Sequence, residues 1–362
     1  MHRCPHAWLL LARVAASKKC MQSTASSRHY GKCLRLSACM LTDAEHAIRA
    51  PNNRSRLLAF YSDNQDVGLP DKHRFPMRKY RMTREALQAD SSMQDLIEAR
   101  EAPQADKAEL RRAHCPAYVE RFLRGELNEK EMRSIGFPWS EGLVRRSIAS
   151  AGGTLAATRA LLEWNLRITA NIAGGTHHAF RDRGEGFCVF NDIAVSSMAA
   201  MEECGVERIL VIDLDVHQGN GTSAIFSGDE RVTTFDVHGD RNYPWKTRMQ
   251  STYDVALPDG TEDTAFLGML QQWIPRLLDE HEPQLVFFQA GVDALSGDSF
   301  GRLSLTRKGL QDRNRLVLTS CLQREVPTVI CMGGGYSRPI EPTVIAHSDV
   351  YRMAALALAG EL

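Results

Sequence analysis

Five short apolar runs, each ending abruptly in polar residues, constrain this chain more than any other feature. They are Ile168–Ala173, Ile209–Ile212, Val232–Phe235, Leu285–Phe288 and Thr328–Met332. Helical patterns lie among them at 191–204, 264–281 and 307–323. Buried β-branched runs interleaved with helices predict an α/β fold, a single three-layer domain with a mostly parallel sheet and helices on both faces. In such sheets every strand ends at the same edge, and ligands bind beyond the carboxyl ends. The polar segments that terminate these runs therefore gather at one place.

Those segments carry reactive side chains. The first run leads into Gly174-Gly175-Thr176-His177-His178, and the second into Asp213-Leu214-Asp215-Val216-His217-Gln218-Gly219-Asn220-Gly221. The third leads into Asp236-Val237-His238, the fourth into Gln289-Ala290-Gly291-Val292-Asp293, and the last into Gly333-Gly334-Gly335-Tyr336. Asp215 and His217 are two apart, so in extended chain they point the same way. Such a pair plus one more carboxylate, with Asp293 the natural third, suits a catalytic zinc that keeps an open position. Neutral imidazoles at His177 and His178 would supply a general base and an electrostatic partner. The Tyr336 hydroxyl would donate to a carbonyl oxygen gaining negative charge. Each signal has a plainer reading: a capping pair, two loop histidines, a turn tyrosine. Their placement at successive strand ends favours the chemistry.

The rest of the sequence sets bounds. With 362 residues, 43% of them hydrophobic, the chain can bury a large core. Lys+Arg and Asp+Glu balance at 44 each, so charge gives no reason to expect direct nucleic-acid binding. No apolar run has the length of a membrane span. The nine cysteines are scattered and form no C-x-x-C pair, which fits a reduced, intracellular setting. Residues 1–50 form a basic, Ser-rich leader with no acidic residue before Asp43, the composition of a disordered or transit segment. That leader makes a mitochondrion or plastid an expected destination, with nucleus or cytoplasm otherwise. Residues 83–135 are rich in Glu, Arg, Ala and Leu and read as helices, as does 152–164. Cys188 reads as core, Trp139 as a packing residue and Arg145-Arg146 as a solvated helix face.

Taken in order, GGTHHAF, GEGFCVFNDIAV, VIDLDVHQGNG, FDVH, GVDALSGD and GGGY resemble the zinc-dependent histone deacetylase family, with its arginase/deacetylase fold. The likeness extends through His73-Arg74-Phe75-Pro76 and Gly136-Phe137-Pro138-Trp139-Ser140, and places a catalytic domain over 57–358. The FPWS and HQGNG forms are most similar to the class IV branch and related bacterial deacetylases.

The resemblance implies hydrolysis of N6-acyl-lysine in a protein or peptide, histones included, and so a role in chromatin regulation. It implies Zn2+ on Asp215, His217 and Asp293. It also implies His178 as general base, His177 as the more buried histidine held by Asp213, and Tyr336 as the carbonyl-polarising phenol. Gly186 and Phe187 match the wall of the lysine tunnel, with Tyr243 a second wall and Gly334 also facing substrate. A structural K+ would use Asp213, Asp215 and His217, with Asp236 and Val237 from the next strand. Asn220 stands where many members place an aspartate behind His178. An amide orients the ring without adding charge, so His178 is expected to be less strongly held in its protonated form. Acetylpolyamine amidohydrolases and long-chain deacylases share the likeness. A binuclear arginase-like site would need more aspartates than 213–220 offers. A silent acyl-lysine binding module would be expected to have lost one of these residues.

Overall fold

The computed structural model describes residues 55–65, 67–70 and 73–362. The basic leader lies outside the described residues.

Among the described residues, eight strands form one sheet: β1 (Leu57–Tyr61), β2 (Ile97–Glu101), β3 (Ile168–Asn171), β4 (Ile209–Asp213), β5 (Val232–Gly239), β6 (Tyr253–Leu257), β7 (Leu285–Gln289) and β8 (Thr328–Cys331). Their order is β2-β1-β3-β8-β7-β4-β5-β6, and every pairing is parallel. Burial accounts for the strands that the apolar runs predicted, although β1, buried from Leu57 to Phe60, stands outside those runs. β3, β4, β7 and β8 are buried along their whole length, whereas the edge strands β2 and β6 are half-exposed. In β7 the neighbours Phe287 and Phe288 point to opposite faces, and both are fully buried. Both faces of the sheet are therefore covered.

The covering helices are α1 (Lys79–Ala89), α2 (Lys107–Ala113), α3 (Pro116–Leu123), α4 (Glu129–Ile135), α5 (Glu141–Glu163), α6 (Asp192–Cys204), α7 (Asn220–Ile225), α8 (Asp263–His281), α9 (Arg307–Gln323) and α10 (Glu341–Ala359). α5 lies against β1, β3 and β8 and continues through α6 to α2. α10 lies against β1 and β3 and forms a layer with α1, α9 and α8.

The structure differs from the sequence reading in several places: β1, β6 and α10 lie outside its strands and helices, and α5 begins at Glu141 rather than at 152. The helical stretch 83–135 is interrupted by β2, whose IEARE sequence has helix-forming composition but sits at the sheet edge. The third apolar run does not stop at Phe235: β5 continues to Gly239, so Asp236 and His238 lie within the strand. Arg146 is buried, its guanidinium 4.4 Å from the Tyr80 ring centroid, while Arg145 pairs with Glu141 on the surface.

Candidate active site

All strand carboxyl ends meet at one edge, and the register fixes what sits there. Asp213, at the end of β4, pairs with Asp236 of β5 and Gln289 of β7. Two residues past β4 the chain turns, and the His217 and Asp215 side chains meet Asp293, which lies just beyond β7. His217 Nδ1 lies 3.0 Å from Asp215 Oδ1 and 3.0 Å from Asp293 Oδ2. One donor atom from each of the three residues lies within 4.8 Å of the others, and all three side chains are buried.

The surroundings hold these groups in place. Asp215 Oδ2 accepts from Gly334 N–H at 2.8 Å and from Gln289 Nε2 at 3.0 Å. Asp293 Oδ1 accepts from Val216 N–H at 2.9 Å. Gly334 must be glycine: an added Cβ would stand 1.9 Å from Asp293 Oδ2. Arg313 is fully buried and donates to the carbonyls of Gly291 (2.5 Å), Ala290 (3.2 Å) and Leu214 (3.3 Å), tying together the turns after β4 and β7.

The donor chemistry fits a divalent cation. Asp213, Asp215, Asp236 and Asp293 are all buried, and no lysine or arginine forms an ion pair with any of them among the described residues. Burial pushes Asp293 up to about 6, reinforced by the neighbouring Asp215 charge. Crowded, desolvated carboxylates of this kind need a counter-charge. Two carboxylate oxygens and an imidazole nitrogen facing a common point are the ligand set a zinc site with an open position uses.

Around this triad the structure gathers the two histidines. Asp192, at the start of α6, accepts from Gly175 N–H (3.0 Å) and Thr176 N–H (2.8 Å), fixing the loop that carries them. His177 Nδ1 donates to Asp213 Oδ2 at 2.7 Å, and His178 Nδ1 donates to Asn220 Oδ1 at 2.8 Å. The two rings lie 4.1 Å apart. Burial alone would depress both, but Asp213 and Asp215 outweigh it for His177 and raise it to about 9. For His178, burial acts together with the charges of His177 and His217, and its pKa falls well below the ordinary histidine value.

Tyr336 closes the other side, its ring 6.2 Å from that of His217. Its glycine-rich loop is clamped from two directions. Asp298 Oδ2 accepts from Tyr336 N–H at 2.6 Å, and Lys79 Nζ donates to Gly333 O (3.2 Å) and Gly335 O (3.3 Å). Lys79 is fully buried, 4.8 Å from the Tyr336 ring centroid, and burial lowers it to about 8. Burial, with the charges of Asp293 and Asp215, keeps the Tyr336 phenol protonated.

The walls are aromatic. Phe187 has φ +67°, a left-handed conformation that costs a bulky residue energy, and it is pinned by its N–H to Ile135 O at 2.7 Å. Its ring meets Phe75 (5.1 Å) and Phe137 (5.3 Å), so the HRFP and GFPW segments support this wall. Gly186 passes so close to His178 that a Cβ would stand 2.6 Å from its Cδ2. Tyr243 packs edge-on against His178 at 5.0 Å. Asp236 accepts from Gly219 N–H (2.6 Å) and from His238 Nδ1 (2.9 Å), and with Val237 it lies on the strand beside Asp213. Cys188 is buried and its thiol is pushed up by burial, as expected of a core residue. Trp139 donates its indole N–H to Phe122 O at 2.8 Å.

The structure thus brings together every residue singled out for the metal, the histidine pair, the phenol and the tunnel. Sequence reasoning missed Lys79, Glu185, Gln289, Asp298 and Arg313 as members of the site. Glu185 and Asp298 lay inside motifs already in view, GEGFC and GVDALSGD, while Lys79 and Arg313 had no pattern around them.

Comparisons with known proteins identify the family and the fold. Residues 73–348 match the family model described as histone deacetylase domain. The chain is 42% identical over 295 residues to an uncharacterised protein of Picosynechococcus sp., covering 81% of this chain and 97% of that one. It is 29% identical over 308 residues to histone deacetylase 2 of Arabidopsis thaliana, covering 81% and 78%. It is also 29% identical over 255 residues to histone deacetylase 8 of Xenopus laevis, covering 65% and 76%. Among solved structures, the HD domain of HDA15 superposes with a TM-score of 0.69 at 20% identity, covering 85% of this chain and 89% of that one, which shows a shared fold.

Proposed function

This chain belongs to the histone deacetylase family, and on that footing we propose that it hydrolyses the side-chain amide of N6-acyl-lysine with a zinc ion held by Asp215, His217 and Asp293. The observation that carries the reading is the meeting of those three donors at one point, with a neutral imidazole and a neutral phenol on either side. Bound there, zinc would supply Lewis acidity, lowering the pKa of a water and polarising the acyl carbonyl.

The side chains divide the remaining work. His178 donates its Nδ1 proton to Asn220, so Nε2 carries the lone pair and takes a proton from the attacking water. His177, with its proton held on Nδ1 by Asp213, stands beside it as a fixed positive partner. The opposed shifts of the two histidines support this division, His178 held neutral and able to accept, His177 raised by Asp213 and Asp215. Tyr336 donates its hydroxyl proton in a hydrogen bond to the acyl oxygen as negative charge develops. The proton on His178 Nε2 then passes to the leaving lysine amine, and the carboxylate product and free amine result. Phe187 and Tyr243 exclude water from the lysine stem.

Two finer assignments rest on sequence likeness. The FPWS and HQGNG segments support a place in the class IV branch. The neighbouring strand ends at Asp213, Asp215, His217, Asp236 and Val237 support a structural K+. Acetylpolyamine hydrolysis is the second reading on the same site, and histones are one class of protein substrate among several. Purified protein assayed on acetyl-lysine, long-chain acyl-lysine and acetylpolyamine, with and without chelator, tests the proposal. Chelator-sensitive release of acyl group from a lysine peptide is expected. Turnover of the polyamine alone would overturn the lysine assignment.

A further inference from the structure

Behind His178 sits an asparagine, and an asparagine side chain does not by itself say which way it points. Its oxygen and nitrogen are similar in size, and a turned amide would present N–H donors to His178 Nδ1. His178 would then have to carry its proton on Nε2, where no base is available to the site. Something must choose between the two orientations.

The chooser is visible in the structure. Asn220 is fully buried, and its Nδ2 faces Thr247 O (3.0 Å), Thr247 Oγ1 (3.2 Å) and Glu185 Oε1 (3.2 Å). Glu185 is itself 5% exposed, and its Oε1 also accepts from the Tyr243 hydroxyl at 2.7 Å and from the Thr247 hydroxyl. The single Thr247 hydroxyl proton is therefore committed to Glu185, and Thr247 Oγ1 meets Asn220 with a lone pair. All three atoms around Asn220 Nδ2 are acceptors. A turned amide would push its oxygen against a carboxylate, a carbonyl and an occupied hydroxyl, and lose its hydrogen bonds to all three. Without Glu185, the Thr247 proton would be free to serve the turned amide.

We propose that Glu185 is a positioning residue that acts through Asn220: it locks the amide so that His178 holds its proton on Nδ1 and presents a basic Nε2 to the reaction. The inference rests on the assignment of His178 as general base in the proposed function. Glu185 places its carboxylate one side chain further from the imidazole than a direct aspartate would. It also ties Tyr243, which packs against His178, into the same network.

An aspartate at position 220 would have oxygen on both sides and need no such lock. That gives a test a merely structural role would not pass. Glu185→Leu removes the acceptor, and kcat is expected to fall ~10- to 100-fold, the usual range for loss of an orienting partner, with KM changed far less. Adding Asn220→Asp to that variant is expected to restore kcat to within about threefold, and Glu185→Gln, which keeps an acceptor oxygen among the three donors, to stay near wild type. Independently of turnover, nitrogen-15 NMR of the chelated protein reads the His178 tautomer. Wild type, Glu185→Gln and the double variant should show Nδ1–H alone, and Glu185→Leu a mixture. A single Nδ1–H tautomer with full kcat in Glu185→Leu overturns the proposal. So does a double variant as impaired as Glu185→Leu, or loss of the tautomer in Glu185→Gln, which also serves if the leucine variant does not fold. If wild type turns over no acyl substrate while these tautomers behave as stated, the lock stands and the assigned reaction falls.

Discussion

Acid should weaken this protein through a buried histidine, His114, that is not among the proposed metal ligands. His114 sits at the end of α2, and both its ring nitrogens are spoken for: Nδ1 donates to Phe180 O at 2.9 Å, and Nε2 accepts from Asn191 N–H at 2.9 Å. Only the neutral ring satisfies both, and burial lowers its pKa from 6.5 to about 4. The unfolded chain therefore binds a proton between those values that the folded chain refuses. Stability is full above the unfolded pKa and falls as pH drops toward the folded one. A gap of about 2.5 units at ~1.36 kcal/mol each amounts to about 3 kcal/mol when fully expressed, of which about 1 kcal/mol is lost by about pH 5.5. The partners make this functional, because Phe180 lies just past the histidine pair and Asn191 caps α6. Urea unfolding of chelated wild type and His114→Gln, from about pH 7.5 down to about 5.5, isolates the contribution, since every other acid-sensitive group is shared. Wild type should lose about 1 kcal/mol more than the variant over that range. Parallel stability profiles would refute the reasoning.

Two further substitutions probe the site and its frame. Tyr336→Phe removes the donor proposed for the acyl oxygen and should lower kcat ~10²-fold with bound metal unchanged, read by turnover and elemental analysis. An unaltered kcat would remove the phenol from its role. Arg313→Met strips three buried carbonyls of their donor and should cost ~3 kcal/mol or more, seen as a lower midpoint in urea.

How much was legible depended on whether a residue belonged to a pattern. The central strands announced themselves because both faces are buried, so β3, β4, β7 and β8 read as unbroken apolar runs with chemistry at their ends. A parallel sheet then did the rest, carrying His177, Asp215, Asp293 and Tyr336 to one edge from positions far apart in sequence. β2 was hidden because a half-exposed edge strand of helix-forming residues looks like a helix. β5 ran past its apolar stretch because its polar end stays buried, with Asp236 bonded to Gly219 and His238. Lys79 and Arg313 were invisible for a different reason. Their partners are backbone carbonyls, and a carbonyl leaves no mark in a sequence.

The most direct test of the central claim is zinc titration of chelated protein, with bound metal and hydrolysis of an acyl-lysine peptide followed together, in wild type and Asp215→Ala. Wild type should bind one catalytic zinc per chain with activity rising in proportion, and Asp215→Ala should gain neither. Undiminished hydrolysis by protein verified to be free of metal, or zinc uptake by Asp215→Ala equal to wild type, would contradict the account.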